Sequence, residues 1–498
     1  MFDLMFSNNY INLTINFNLE ADMEREYRLL VGGKWVEGKD KIEIKNKYNN
    51  EVIGTIPLTD KSLYEKAIKS AQEGFLAISS LPVYKRSEIL EKTSKLIEKN
   101  QEEISKLIAA EAGKPLKFSR FEVGRAVQTF KFAAEEAKQI HGETVPLDAQ
   151  VGSEKGIGFY LRFPVGIIGA ISPFNFPLNL VAHKVAPAIA AGNSVILKPA
   201  SLTPLSSLKL GELLMEAGLP DGALNIIIGS GGTVGDWLVT DERLSMITFT
   251  GSPSVGRRIK ERSGLKKVTL ELGNNSAVIL DESADLKVTV PRCVFGSFAY
   301  SGQVCISIQR IYVHKDLLED FTKDFLEATK KLRIGDPLQE DTDIGPMITE
   351  EEAIRTEQWV SEAVSDGAKI LIGRKREKAV YYPTVLTNVN PEMKVVKLEI
   401  FAPVVSIIPF DNFKDAIKMV DDSIYGLQAG VYTQDINKAF QAVKGIKVGG
   451  VIINDIPSYR ADQMPYGGVK ESGIGREGLK YAIEEMTDIK MVVINLPE

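Results

Sequence analysis

The sequence predicts an α/β protein built on a doubly wound parallel sheet, with a second α/β unit after it. Three observations predict this. Short β-rich runs alternate with helical stretches between residues 165 and 272, a second alternation begins at residue 277, and two β-like segments, 156–163 and 490–495, fit neither series. Strands that alternate with helices run parallel, because each helix carries the chain back across the face of the sheet.

Residues 60–138 place Ala67, Ile68 and Ala71, then Ile89, Leu90, Leu96, Ile97, Ile104, Leu107 and Ile108, at spacings of three and four, with charge on the other faces. That period predicts amphipathic helices. The first strand series falls at 165–171, 194–197, 224–228, 246–250 and 268–272. The second falls at 277–280, 310–313, 404–409, 429–432 and 451–454, among amphipathic helices over 317–332 and 413–420. The two leftover segments read as edge strands, which need a partner and often find it in another subunit.

With 498 residues, 44% of them hydrophobic and 25% charged, the chain can bury large cores and divides into two or three domains. Its net charge of −6 and the lack of a long basic run speak against nucleic acid or an anionic membrane as partner. Two cysteines, Cys293 and Cys305, make no disulfide framework and suit a reducing cytoplasm. His141, His183 and His314 never come at metal-ligand spacing, so no metal is expected. Residues 1–22 contain Asp3 and asparagines at 8, 9, 12, 16 and 18, and lack a basic start. They read as an N-terminal extension and not as a signal peptide, and no apolar run is long enough to span a bilayer.

Two strand ends suggest a nucleotide. Thr250-Gly251-Ser252 follows an apolar strand and leads through Ser254, Val255 and Gly256 into a helix, a junction whose backbone N–H groups can receive a phosphate. It is not G-x-G-x-x-G, and taken alone it reads rather as a helix-capping turn. Lys198, in Lys198-Pro199-Ala200-Ser201, ends another strand, where ligands bind in open α/β sheets. An acid that accepts from the ribose 2′-hydroxyl favours NAD over NADP. With Ser201 in that place the repulsion of a 2′-phosphate is absent, and NADP is expected to be accepted.

Cys305 after Gly302-Gln303-Val304, and Glu271 at the end of a β-like run, supply the two groups that covalent oxidation of an aldehyde requires: a nucleophile, and a base that later delivers water. Cys293 lies in the apolar run 288–298 and reads as a buried, inert thiol.

Taken together, Pro173-Phe174-Asn175-Phe176-Pro177, Phe249-Thr250-Gly251-Ser252, Glu271-Leu272-Gly273, Gly302-Gln303-Val304-Cys305, Glu399-Ile400-Phe401-Ala402-Pro403 and the run from Pro465 to Gly473 resemble the aldehyde dehydrogenase superfamily. The resemblance runs from about Tyr27 to Ile494 and is greatest to its lactaldehyde dehydrogenase-like branch. It implies a dinucleotide-binding domain over 23–145 and 165–273, a catalytic domain over 274–472, and an oligomerisation arm from 146–164 and 473–498, in a homodimer or homotetramer.

The same resemblance implies the roles. Cys305 attacks the aldehyde, Asn175 with the Cys305 N–H holds the oxyanion, Glu271 activates water, and Lys184 assists its proton relay unless it is a surface lysine. Ile171, Ser172, Lys198, Ala200, Ser201, Gly231, Phe249, Thr250, Gly251, Ser252, Val255 and Leu272 would hold NADP or NAD. Glu399 and Phe401 would hold its nicotinamide end. Phe174, His183, Val304, Ile306 and Arg460 would face the substrate. His183 and Arg460 have an equal alternative, a satisfied core histidine and a salt-bridged arginine. The expected product is the free acid of a small, hydroxylated aldehyde such as lactaldehyde or glyceraldehyde. Succinate semialdehyde, glyceraldehyde 3-phosphate and transfer of the acyl group to coenzyme A are the alternatives, the last opposed by Glu271. Asn274-Asn275 and Phe174 depart from the usual family pattern and are expected to alter the pocket wall.

Overall fold

The computed structural model describes residues 25–496; the extension expected over 1–22 lies outside the described residues. Five parallel strands form the centre of an eight-stranded sheet, in the order Leu224–Ile226, Ser194–Lys198, Ile167–Ile171, Met246–Thr250, Lys267–Glu271. Antiparallel strands extend it: Leu29–Val31 and Lys34–Val36 on one side, Gly473–Ile474 on the other. The Ile167–Ile171 and Ser194–Lys198 strands are buried along their whole length, which is why they read as continuous apolar runs.

Helices cover this sheet. Lys61–Ser80 is opened by Asp60, whose carboxylate accepts from the Leu63 N–H at 2.8 Å, and it buries Ala67, Ile68 and Ala71 as its period predicts. Val83–Lys99, Gln101–Ala112 and Leu116–Ala137 share one hydrophobic core with the sheet. Every residue of Asn179–Ala191 is buried, so the polar His183 and Lys184 that it carries must find partners inside the protein.

The second sheet has seven strands in the order Lys369–Ile372, Thr384–Thr387, Val404–Phe410, Arg310–His314, Ala277–Leu280, Gln428–Tyr432, Gly450–Ile453. All neighbours are parallel except the first pair. That pair adds an edge the sequence pattern did not single out, because Lys369–Ile372 is half exposed and its apolar run is only three residues long. Separate cores lie on the two faces of this sheet.

The two leftover β segments pair with each other. Thr487–Asn495 runs antiparallel to Gly156–Pro164 over nine residue pairs, and Thr144–Val145 completes a three-stranded sheet. It leaves Ile157, Leu161 and Phe163 exposed on one face and Ile489, Met491 and Val493 on the other, so that both faces of this thin sheet carry apolar side chains. Among the described residues no helix is long and apolar enough to cross a membrane.

Candidate active site

A cleft of about 700 Å³ opens at the carboxyl ends of the parallel strands of the first sheet. Ile171 and Ser172 line it from the Ile167–Ile171 strand, Lys198 and Ala200 from the next, and Gly231 from the turn after Leu224–Ile226. Phe249, Thr250, Gly251 and Ser252 line it where the Met246–Thr250 strand passes into the helix Pro253–Arg262, which adds Val255. Leu272, Glu399 and Phe401 close it on the side of Cys305, together with Phe174 and Asn175.

The cleft fits a dinucleotide on its own chemistry. Lys198 is buried; its ammonium bonds the Pro199 carbonyl at 3.5 Å and no carboxylate among the described residues, and burial pulls its pKa down to about 8. An unpaired buried ammonium calls for an anion or hydroxyls. Glu399 is partly buried in the cleft wall; its carboxylate accepts from the Asn274 N–H at 2.9 Å, and burial lifts its carboxyl to about 7. A Cβ at Gly273 would stand 2.3 Å from Glu399 Oε2, so glycine there makes room for this carboxylate. Phe401 is held at φ 51°, a strained left-handed conformation, with its ring edge-on to Phe174 at 5.9 Å.

Ser201 does not line the cleft. Its hydroxyl donates to the Gly229 carbonyl at 3.0 Å, serving the adjacent turn. Five charged residues that sequence reasoning missed do line it: Asp236, which accepts from Arg258 and, at 2.7 Å, from Arg262, and the pair Glu352 and Arg355. Their spacing on ordinary exposed helices gave no signal.

Cys305 sits at the inner end of the cleft, on a loop where Tyr300, Ser301 and Gly302 take φ of 50°, 54° and 68° in succession. The loop is pinned. Tyr300 donates to the Ala112 carbonyl and Ser301 to the Gly345 carbonyl, each at 2.8 Å, and the Ile348 N–H donates to Gln303 Oε1 at 2.9 Å. Gly302 lies so close to residue 402 that a Cβ would meet its carbonyl oxygen at 2.2 Å. Asn175 Nδ2 donates to the Gln303 carbonyl at 2.9 Å, which sets its amide beside the Cys305 loop with a second N–H still to give. Cys305 Sγ lies 3.1 Å from the Tyr466 hydroxyl; burial pushes the thiol up to about 11, while that hydrogen bond acts the other way. Cys293 is fully buried in the helix Leu286–Phe298, and burial pushes its thiol far higher.

Glu271 ends the Lys267–Glu271 strand with its carboxyl turned inward from the cleft. Neither oxygen has a hydrogen-bond partner. Burial, then the negative charge of Glu477, raises its pKa well above the usual carboxylate range, against the pull of Arg460, Lys184 and Arg476. Nothing ties this carboxyl down, and its neighbour Gly467 has no side chain to block it. Lys184 is fully buried and is no surface lysine: its ammonium donates to Thr250 Oγ1 at 2.7 Å and to Glu477 Oε1 at 3.0 Å. Glu477 was missed in the sequence, although it lies just beyond the C-terminal motif that ends at Gly473.

His183 and Arg460 stand behind Cys305, outside the cleft lining. His183 Nε2 meets Asp462 Oδ1 at 2.8 Å, and Asp462 also receives Arg125 Nη2 at 2.5 Å. Arg460 Nη2 donates to Glu477 Oε2 at 2.9 Å while its guanidinium covers the Tyr466 ring at 3.7 Å. Both are thus the bonded side chains of the plainer expectation. Each still keeps one buried nitrogen, His183 Nδ1 and Arg460 Nε, without a partner. Val304 and Ile306 pack with Leu427 and Tyr466 around Cys305. Asn274 and Asn275, expected at the pocket wall, point instead into the second domain. Their amides donate to Ser276 Oγ at 2.5 Å and to the Val396 carbonyl at 2.8 Å, which satisfies them there.

The profile of the Aldehyde dehydrogenase family matches residues 35–492. The chain is 49% identical to the 3-sulfolactaldehyde dehydrogenase of Priestia aryabhattai, over 95% of this chain and 98% of that one. It is 42% identical to the lactaldehyde dehydrogenase of Methanococcus aeolicus, over 94% and 100%. Among solved structures it is similar to a glyceraldehyde-3-phosphate dehydrogenase of Methanocaldococcus jannaschii complexed with NADP, with a TM-score of 0.89, 42% identity, and 93% of this chain and 100% of that one covered.

Proposed function

The chain belongs to the aldehyde dehydrogenase family, and from that premise we propose that it oxidises a small hydroxylated aldehyde carrying an anionic group to the free acid, with NADP or NAD. The observation that carries this reading is the meeting of Cys305, Asn175, Lys198 and Glu399 on one cleft, with Glu271 behind the sulfur.

In this reading the Cys305 thiolate attacks the aldehyde carbon, and the Asn175 amide with the Cys305 N–H receives the charge that develops on oxygen. When bound, the cofactor supplies the hydride acceptor. Lys198 holds its ribose or phosphate, Glu399 its nicotinamide ribose, and the N–H groups at the start of Pro253–Arg262 its pyrophosphate. Glu271 turns toward the resulting thioester, takes a proton from water and passes it toward Lys184 and Glu477. Lys184 and Glu477 are already bonded to each other, and the unbonded Glu271 carboxyl is free to move. Its presence supports hydrolysis over transfer to coenzyme A.

An anionic substrate follows from charge. Burial raises the Glu271 pKa and so weakens its share of the negative charge, leaving Arg125, Arg460 and Lys184 to outweigh Asp462 and Glu477 behind the sulfur, and Arg460 keeps an unbonded N–H. A sulfonate, phosphate or carboxylate on the substrate answers that excess. Ser201 places no carboxylate in the cleft, and Arg258 and Arg262 line it, which supports acceptance of NADP.

We assign 23–145 with 165–273 to cofactor binding, 274–472 to catalysis, and 146–164 with 473–498 to an arm whose exposed apolar strands join copies into a homotetramer or dimer. The separate cores support the first two units and the Thr487–Asn495 pairing supports the arm, while Gly473–Ile474 and the Leu479–Glu485 helix pack with the first sheet. Two free thiols support a reducing, cytoplasmic setting. The test is kcat/KM by nicotinamide absorbance for sulfolactaldehyde, glyceraldehyde 3-phosphate, lactaldehyde and propanal, with each cofactor. The reading expects the anionic hydroxyaldehydes to lead by at least about tenfold; equal values for all four would remove the anionic part of it, and acyl-coenzyme A as product would remove the hydrolytic part.

A further inference from the structure

Tyr466 is the one polar side chain bonded to the candidate nucleophile among the described residues, and neither the cofactor cleft nor the proton path uses it. Its placement is over-determined. The backbone is tied to Glu477 by two hydrogen bonds, at 3.1 and 2.6 Å, and the ring packs against Ile306 and Leu427. The Arg460 guanidinium covers the ring at 3.7 Å and is itself anchored by Glu477 at 2.9 Å. All this sets a buried hydroxyl 3.1 Å from Cys305 Sγ, where it has no other hydrogen-bond partner among the described residues. A phenylalanine would fill the same wall, so the hydroxyl needs a reason.

We propose that Tyr466 is a catalytic residue of this chain: its phenol donates a hydrogen bond to the Cys305 thiolate, and Arg460, stacked on the ring, holds the donor in place. The inference rests on the reading of Cys305 as the attacking group. An ionised sulfur can only accept, and the phenol, whose own ionisation burial pushes well above its usual range, remains the O–H partner. The charged groups that face the sulfur are Arg460, which favours the thiolate, and Glu399 and Glu271, which oppose it when ionised. Removal of the donor leaves a buried sulfur anion with only the distant guanidinium to favour it.

The test is the rate at which iodoacetamide modifies Cys305, followed by mass spectrometry from about pH 6 to 11 in the full-length wild type, Tyr466→Phe and Tyr466→His. Buried Cys293 reports folding, since it stays unmodified while the core is closed. We expect Tyr466→Phe to be modified about tenfold more slowly than wild type across that pH range, its profile displaced upward by about one unit, and kcat/KM for the preferred aldehyde to fall alongside. Tyr466→His, which keeps a ring and an N–H donor, is expected to recover part of the shift. A Tyr466→Phe profile that superimposes on wild type with Cys293 still protected would overturn the proposal. If Tyr466→Phe exposes Cys293, the histidine variant decides, and a profile like that of free cysteine with no intermediate position would also overturn it. Aldehyde turnover is read separately. A shifted profile in a protein that oxidises none of the aldehydes sinks the proposed function alone, and turnover without a shift sinks this inference alone.

Discussion

Cys305 divides two unlike half-sites. On its open side the cleft is built from strand ends, glycine turns and the start of a helix, with the buried Lys198 and the partly buried Glu399 among its charged groups. On its closed side two neighbouring groups of paired side chains stand together, Lys184–Glu477–Arg460 and His183–Asp462–Arg125. The open side suits a ligand that many proteins share, because backbone N–H groups recognise phosphate through shape alone. The closed side is particular to one chemistry: buried charges are costly unless matched, so the pattern of matches and gaps there specifies what must come in to complete it.

The sharpest break in this comparison comes at the sulfur itself. Cys305→Ala is expected to lower kcat by at least about 10⁴-fold while leaving the fluorescence titration of NADPH unchanged, since the cleft is intact. Cys293→Ala, in a closed core, is expected to leave turnover near wild type.

Next is Glu271→Gln, which should slow steady-state turnover by about 10²–10⁴-fold but spare the first turnover. In the wild type the base works only when ionised, and its pKa is raised, so deacylation should climb as pH rises through that elevated value. A steady-state rate that falls over that range contradicts the assignment.

The closed side should also dominate stability. Lys184→Met leaves Glu477 buried with one partner fewer and is expected to lower unfolding free energy by about 3–5 kcal/mol, read by urea denaturation. Glu399 gives a smaller, pH-dependent effect. Its folded pKa of about 7 lies above its usual 4.5, so its stabilising contribution is complete below 4.5 and is lost as pH rises through 7. Glu399→Gln should therefore flatten the decline in unfolding free energy over that window, by up to about 3 kcal/mol. The smallest effect belongs to the rim of the open side: Arg258→Ala with Arg262→Ala should raise KM for NADP a few-fold and leave KM for NAD alone, because half-exposed ion pairs contribute at most about 1 kcal/mol.

The same contrast explains what could be read in the sequence. Phe249-Thr250-Gly251-Ser252 and Lys198 announce themselves because each is a local junction of strand and turn, Glu399 is named only by resemblance, and the cleft gathers them all. Ser201 sits one residue past that local logic and turns to Gly229 instead. On the closed side, Arg125 meets Asp462 across 337 residues and Lys184 meets Glu477 across 293, separations that carry no periodic signal. Resemblance named Lys184 but not its partner. Tyr466 was quoted within a motif, yet only the fold shows its hydroxyl against sulfur. The β segments 156–163 and 490–495 looked unpaired because strand pairing across so long a stretch of chain leaves no mark in either segment.

One measurement bears most directly on the convergence of sulfur, amide and acid. Glu271→Gln mixed with NADP and the preferred aldehyde in a stopped-flow instrument should produce about one equivalent of reduced cofactor per subunit and then stall. Mass spectrometry of the quenched protein should find the acyl group on Cys305 as a thioester. An absence of reduced cofactor in that first turnover, or an acyl group on any residue other than Cys305, would contradict the account.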